Sequence, residues 1–175
     1  KTCEPLTVCD SFSRYLLCCE PVKNRSFLHV WPLIKEVFQE HGMPLRFRTD
    51  NGPPFATTTV GRLSRLSVKL IRLGITPEWI SPGKPQENGR HERMHRTLKL
   101  EAAKPLVETL EEQKKSLSVF RNEYNHIRPH EALGMLTPAE VYSYSSRKWT
   151  GDEQDPSYSS GYSERRVDSK GTIYW

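Results

Sequence analysis

Two apolar runs, Pro5–Cys9 and Tyr15–Val22, stand five residues apart near the start of this chain. The intervening turn, Asp10-Ser11-Phe12-Ser13-Arg14, predicts that the runs pair as β-strands. The period of the pattern then changes. From Ser26 to His41 the apolar residues Phe27, Val30, Trp31, Ile34, Val37 and Phe38 recur at helical spacing, and Gly42 supplies a stop. Pro32 falls in the first half of this segment, where a helix start or a kink is expected. Leu45–Thr49 reads as a short strand ending in Asp50-Asn51-Gly52, a strong turn signal. A second helix is predicted from about Val60 to Leu73, with Leu63, Leu66, Leu70 and Leu73 in register and Gly74 ending it. Ile75–Ile80 is a last short strand, cut off by Ser81-Pro82-Gly83. Asn88 is placed to cap a third helix running to about Ala103, and a fourth is predicted from about Val107 to Tyr124. Such an order predicts an α/β domain, a mixed sheet flanked by helices.

The pattern stops at Tyr142. Residues 143–163 hold seven serines and almost no aliphatics, which predicts a linker. Arg165–Trp175 (RRVDSKGTIYW) reads as two β-arms around a turn, and one hairpin is not stable alone. The predicted organisation is therefore a core over 1–142, a linker over 143–163 and the start of a small C-terminal β module over 164–175. A first residue of Lys rather than Met is expected of a truncated start. No run approaches the roughly 18 apolar residues of a membrane span, and no secretion signal opens the chain, so a cytoplasmic protein is expected. Cys3, Cys9, Cys18 and Cys19 form no C-x-x-C pair and are expected as reduced thiols, three of them within β-like runs. The net charge of +5 suits a polyanionic partner without requiring one.

Transfer of a phosphodiester needs an activated hydroxyl and a stabilised leaving oxygen, which divalent ions clamped by carboxylates supply. Such carboxylates belong at strand ends and helix starts that face one cleft. Asp50 ends an apolar strand, and the Asn51-Gly52 turn lets the chain leave sharply behind it; taken alone, Asp-Asn-Gly is also an ordinary turn. Glu92 lies near the start of the third predicted helix, where the macrodipole favours a carboxylate; taken alone, it is also an ordinary surface residue.

Together these residues form an ordered series: T-D-N-G-x-x-F from Thr49 to Phe55, P-Q-x-x-G-x-x-E from Pro85 to Glu92, and H-R-T-L-K from His95 to Lys99. Tyr124-Asn125, then Arg128-Pro129-His130-Glu131-Ala132-Leu133-Gly134 and Thr137-Pro138-Ala139-Glu140, complete it. Over about residues 4–142 the series resembles the DDE-type core of retroviral integrases and bacterial insertion-sequence transposases. The resemblance implies an RNase H-like fold, Mg2+ or Mn2+ as the metal, and Asp50 and Glu92 as the second and third acidic residues of an Asp-Asp-Glu triad. It implies a DNA strand transferase acting on mobile-element ends and target DNA as a homo-oligomer. The 42-residue gap between Asp50 and Glu92 exceeds the commonest family spacing, and the extra length is assigned to Gly61–Ser67. Glu87 would shorten the gap, but it precedes Gly89 and does not match the motif.

One departure stands out. In the family the first Asp sits on an opening strand, and the next strand runs into an S-R-Y-like turn. Here Leu6–Cys9 leads straight into Ser13-Arg14-Tyr15, so the first strand is missing and Asp10 is a turn former. An inactive or nearly inactive fragment is expected.

Glu92, Arg96 and Lys99 share one helical face, and residues 81–105 carry six Lys or Arg against three Glu. With the resemblance, Arg96, Lys99, Lys84 and Arg93 become candidate DNA contacts; a solvated face with an i,i+4 ion pair is the alternative. Arg128 and His130 are further candidates to help hold DNA, with tying down the junction after the fourth helix as the alternative. His91-Glu92-Arg93-Met94-His95 also satisfies H-E-x-x-H, a zinc-protease signature that further needs a third ligand. The same helical wheel sets both histidines beside Met94, Leu98 and Ala102 as core-edge residues. A zinc metalloprotease and a non-catalytic nucleic-acid-binding remnant of the same fold are the competing readings.

Overall fold

The computed structural model describes residues 4–52, 54–56, 63–81, 89–102, 109–151, 160–161, 163 and 165. Strands β1 (Glu4–Cys9) and β2 (Leu16–Val22) pair antiparallel, from Glu4 opposite Val22 to Cys9 opposite Leu16. Their connection is built on one carboxylate. Asp10 Oδ2 accepts from the backbone N–H of Phe12 and Ser13, at 3.1 and 2.6 Å, and from the Ser13 hydroxyl at 2.7 Å. Asp10 is thus the turn former its sequence context predicts.

The register carries a bulge. Val8 pairs with Cys18 and Cys9 with Leu16, so Leu17 is left over and the strand changes face. Because neighbouring strand residues face opposite sides, β2 feeds two cores, and the bulge puts Leu16 on the side of Cys19 rather than that of Cys18. Cys18 joins Leu6, Val30, Ile34, Phe38, Phe47, Leu66 and Leu70, while Leu16 and Cys19 join Met94, Leu98, Leu117, Phe120 and Tyr124. Helices α1 (Phe27–His41) and α2 (Arg65–Arg72) pack on the first side; α3 (Gly89–Glu101) and α4 (Leu110–His126) pack on the second. The result is a sheet layer between two helical layers, the α/β class the alternating pattern predicts.

Helix α1 runs through Pro32, forgoing one backbone bond. It ends at Gly42, whose φ of 81° lies in the left-handed region; a Cβ there would stand 2.7 Å from the Ser145 carbonyl oxygen. Helix α2 starts later than the leucine spacing suggests, because Ser64 and Ser67 cap each other's backbone N–H. The stretch from 57 to 62 lies outside the described residues. Helix α4 starts at Leu110, not near Val107, for the same reason: Thr109 and Glu112 form a reciprocal capping box, a T-x-x-E signal present in the sequence.

The sheet itself differs from expectation. Strands β3 (Arg46–Thr49) and β4 (Thr76–Trp79) pair parallel, but they form a ladder separate from β1 and β2 rather than one continuous mixed sheet. The described part of the chain supplies no strand that hydrogen-bonds to both β1 and β3, and these two strands together line a cleft.

The serine-rich stretch begins with a docked segment. After α5 (Pro138–Val141), Ser145 donates its hydroxyl to the Met43 carbonyl at 2.7 Å. The Arg147 guanidinium donates to the carbonyls of Pro44, Leu73 and Gly74, and Trp149 packs near Trp31 and Phe38. Composition alone hides this, since the attachment is made by a few residues, Ser145, Arg147 and Trp149. The expected β module over 164–175 and the later linker fall almost wholly outside the described residues.

Candidate active site

The cleft between β1 and β3 has a volume of about 980 Å3 and is lined by both strands, by α1 and by α3. Its polar wall includes Thr7, Asp50, His91 and His95. Asp50 follows the last residue of β3, and its Oδ1 accepts from the Gly52 N–H at 3.0 Å, which turns the chain away while the carboxylate stays at the strand end. Asn51 fastens the same turn by donating to the Ile80 carbonyl at 3.1 Å, just beyond β4. Local chemistry thus seats Asp50 at the sheet's edge, as the D-N-G signal implies.

Helix α3 presents two faces. Met94, Leu98 and Ala102 are buried against α4 and β2, whereas Glu92, Arg93, Arg96 and Lys99 are exposed. The i, i+4, i+7 relation of Glu92, Arg96 and Lys99 therefore holds on a solvent-facing surface. Asp50 is brought into the cleft with His91, close enough for its charge to act on that imidazole. Glu92 is in the first turn of α3 but is exposed and does not line the cleft. Lys84, Glu87 and the expected cap Asn88 lie outside the described residues.

His91 and His95 are half-buried on α3 beside the buried Met94, at the edge of the core. Both line the cleft, where Thr7 Oγ1 lies 3.0 Å from His91 Nε2 and 2.7 Å from His95 Nε2, and the two Nε2 atoms are 3.1 Å apart. Burial, above all, together with the neighbouring His95, pushes the His91 pKa down to about 4, against the opposing pull of Asp50. Among the described residues no group of three His, Cys, Asp or Glu is arranged to hold a metal, so the third ligand a zinc protease requires is not supplied there.

Other expectations resolve simply. Arg128 forms a two-oxygen ion pair with Glu101 at 2.6 and 2.7 Å, tying the end of α4 to the end of α3. His130 packs edge-on against Tyr124, and its backbone bridges to Leu136. Cys9, Cys18 and Cys19 are free thiols; burial raises all three, Cys18 and Cys19 to about 12. Among the described residues no helix is long and apolar enough to cross a membrane. The sequence reading missed the role of Asn125, buried behind β2, whose amide accepts from the Leu16 N–H at 2.8 Å and donates to the Leu16 carbonyl at 3.1 Å. Its only signal was the Tyr-Asn pair before the R-P-H segment.

The site is thus a strand-end carboxylate, Asp50, in the cleft of a layered α/β domain, beside a helix rich in basic residues. In comparison with known families, residues 73–138 match the model for the integrase core domain. The chain is 28% identical over 136 residues to an uncharacterized 31.7 kDa protein of insertion element IS407 from Burkholderia multivorans, covering 77% of this chain and 47% of that protein. In structure it resembles the catalytic core domain of BIV integrase, with a TM-score of 0.60, 25% identity, and coverage of 80% of this chain and 90% of that one. The HTLV-2 integrase catalytic core in complex with magnesium shares the fold, with a TM-score of 0.59 and 14% identity, over 81% of this chain and 93% of that one. Over residues 73–138 the chain is thus similar to the integrase core domain, and its mixed α/β fold is the RNase H-like fold of integrase catalytic cores. It spans less than half the length of the insertion-element proteins it matches.

Proposed function

We propose that this chain is the catalytic core of a mobile-element DNA strand transferase, in which Asp50 and Glu92 hold Mg2+ or Mn2+ for phosphodiester hydrolysis and transesterification. The observation that carries the reading is Asp50: a carboxylate at the end of β3, in a cleft walled by the helix that lies within the matched integrase segment. Carboxylate oxygens fit a hard divalent ion, which keeps several waters and needs few protein ligands. The magnesium held by the similar HTLV-2 core supports that choice. When bound, such ions polarise the phosphate and stabilise the leaving oxygen.

The chain's own groups orient and position. The Gly52 N–H fixes one oxygen of Asp50, and the N-terminal end of α3 favours negative charge at Glu92. Arg96 and Lys99, with Arg93 and Lys84, hold backbone phosphates, contacts that set register without reading sequence. Mobile-element ends and target DNA are the substrates, and self-association follows by analogy.

The exposure of Glu92 outside the cleft favours a second reading, a DNA-binding remnant without catalysis. One experiment separates them. Strand transfer and DNA binding are measured for a longer protein containing this core, as Asp50→Asn and Glu92→Gln variants. Loss of several kcal/mol of metal stabilisation lowers the rate on the order of 10³-fold with binding retained. Binding with no metal-dependent activity in the unsubstituted protein would leave the remnant reading standing instead.

A further inference from the structure

The turn that seats Asp50 also joins an asparagine to a glycine, and that pair carries a chemistry of its own. Asparagine is among the thermolabile residues because its side-chain amide can be lost to the backbone. The nitrogen of the next residue, once it has given up its proton, attacks the side-chain Cγ. The N–Cγ bond forms, the Cγ–Nδ2 bond breaks, and the proton leaves with Nδ2 as ammonia. Water then opens the resulting ring at either carbonyl, giving aspartate or isoaspartate. Glycine in second place leaves the attacking nitrogen uncovered, since it has no Cβ. Asn51 is exposed, and Gly52 follows it.

Both reacting groups are held in this fold. Asn51 Nδ2, the leaving nitrogen, donates to the Ile80 carbonyl at 3.1 Å, and the Gly52 N–H is donated to Asp50 Oδ1 at 3.0 Å. The Gly52 carbonyl is fixed as well, accepting from the N–H of Phe55 and Ala56 at 3.0 and 3.2 Å. The hold is local, however. Among the described residues β3 and β4 form a ladder of two four-residue strands, which is marginal by itself. Its last rung, from the Ile80 N–H to the Thr49 carbonyl, is 3.4 Å, longer than an ordinary bond of this kind. Such an end opens at a lower free energy than the core behind it.

We propose that Asn51–Gly52 is a deamidation site gated by the end of the β3–β4 ladder. It is closed while Asn51 holds Ile80 and Asp50 holds Gly52, and it reacts when that end frays. The product changes the junction in a definite way. A carboxylate has no N–H, so the hold on Ile80 is lost, and a second negative charge stands next to Asp50 in the chain. Isoaspartate also lengthens the backbone by one bond between β3 and the turn. The site does not depend on the strand-transferase reading.

The test follows the chain in heavy-oxygen water, native and in urea, by peptide mass spectrometry. In full urea Asn51 is expected to convert to both products, each carrying heavy oxygen. Asn88, which Gly89 follows, supplies the same dipeptide as a reference for that unfolded rate. Conversion of Asn51 in the native chain is expected to be on the order of tenfold slower, the protection that two such hydrogen bonds give. It should quicken at urea concentrations below the global unfolding transition, because the gate opens locally. Gly52→Ala covers the attacking nitrogen and should slow conversion several-fold in full urea, where the folding of the variant does not enter. Equal rates in the native and unfolded chain, or a rate that rises only with global unfolding, overturn the gate. An Asn51 that stays intact in full urea while Asn88 converts overturns the site itself.

Discussion

Asn125 grips the backbone of Leu16 with both ends of its amide, accepting from the N–H at 2.8 Å and donating to the carbonyl at 3.1 Å. The contact joins α4 to β2 at the bulge, where the ladder leaves Leu17 over and the regular strand pairing is interrupted. Arg121 adds a donor to the same carbonyl at 3.1 Å. A buried backbone group without a partner costs about 1–3 kcal/mol, so the amide at position 125 has a specific task.

Asn125→Leu keeps bulk and removes both bonds. It is expected to destabilise the domain by about 3 kcal/mol, lowering its melting temperature by roughly 6–12 °C. Asn125→Asp, which keeps the acceptor and loses the donor, falls between the two. Thermal melts of the three proteins check the order; equal melting temperatures would remove Asn125 from this role.

Stability falls in acid before most carboxylates titrate. Burial lowers the pKa of His41 and of His130, and lowers that of His91 to about 4. Each of these groups is held neutral in the fold but titrates near 6.5 when unfolded, so the unfolded state binds more protons as pH drops. Their stabilisation is complete above about pH 6.5 and is lost progressively toward pH 4. Urea midpoints at pH 7.5 and pH 5 should differ, the acidic one lower. His41 packs against Tyr15, Tyr142 and Tyr144, and His41→Gln should reduce the difference. A midpoint that rises in acid contradicts this account.

Salt dependence reads the exposed face of α3. If Arg96 and Lys99 each neutralise one phosphate, the slope of log binding constant against log salt becomes shallower by about 0.9 for each residue changed to Gln. The double variant should lose about 1.8, on any duplex sequence, because phosphate contacts carry no base information. An unchanged slope with weaker binding would place the phosphates elsewhere.

Arg147 holds the segment after α5 against the body through the carbonyls of Pro44, Leu73 and Gly74. Hydrogen bonds from a charged donor contribute about 1.5–3 kcal/mol each when well formed, less where water reaches them. Arg147→Ala is expected to cost about 2 kcal/mol, and ending the chain at residue 142 should cost more, since Trp149 goes too. A chain cut at 142 that melts with the longer one would show the segment to be a passive tether.

Much of the fold was legible because period and punctuation agreed. The β1–β2 pair, the stop at Gly42 and the seat of Asp50 each follow from local chemistry that a short window contains. Helix starts slipped where a capping box overrode apolar spacing, as at Ser64 and Thr109. What stayed hidden was long-range: the Asn125 amide meets a strand 109 residues earlier, and Arg147 reaches carbonyls 74 and 103 residues before it. The candidate site divided in the same way. Asp50 was readable from its turn, whereas the meeting of His91 and His95 with Thr7 depends on how α3 lies over β1, which no local pattern states.

The alternation of side chains along β2 has a mechanical consequence. Cys18 and Cys19 are neighbours in the chain yet anchor opposite helical layers, so one strand is a shared wall. Peeling away either pair of helices strips support from the backbone that the other pair rests on. The two halves should therefore melt in a single concerted step, with alkylation of these sheltered thiols reporting the same event from both sides.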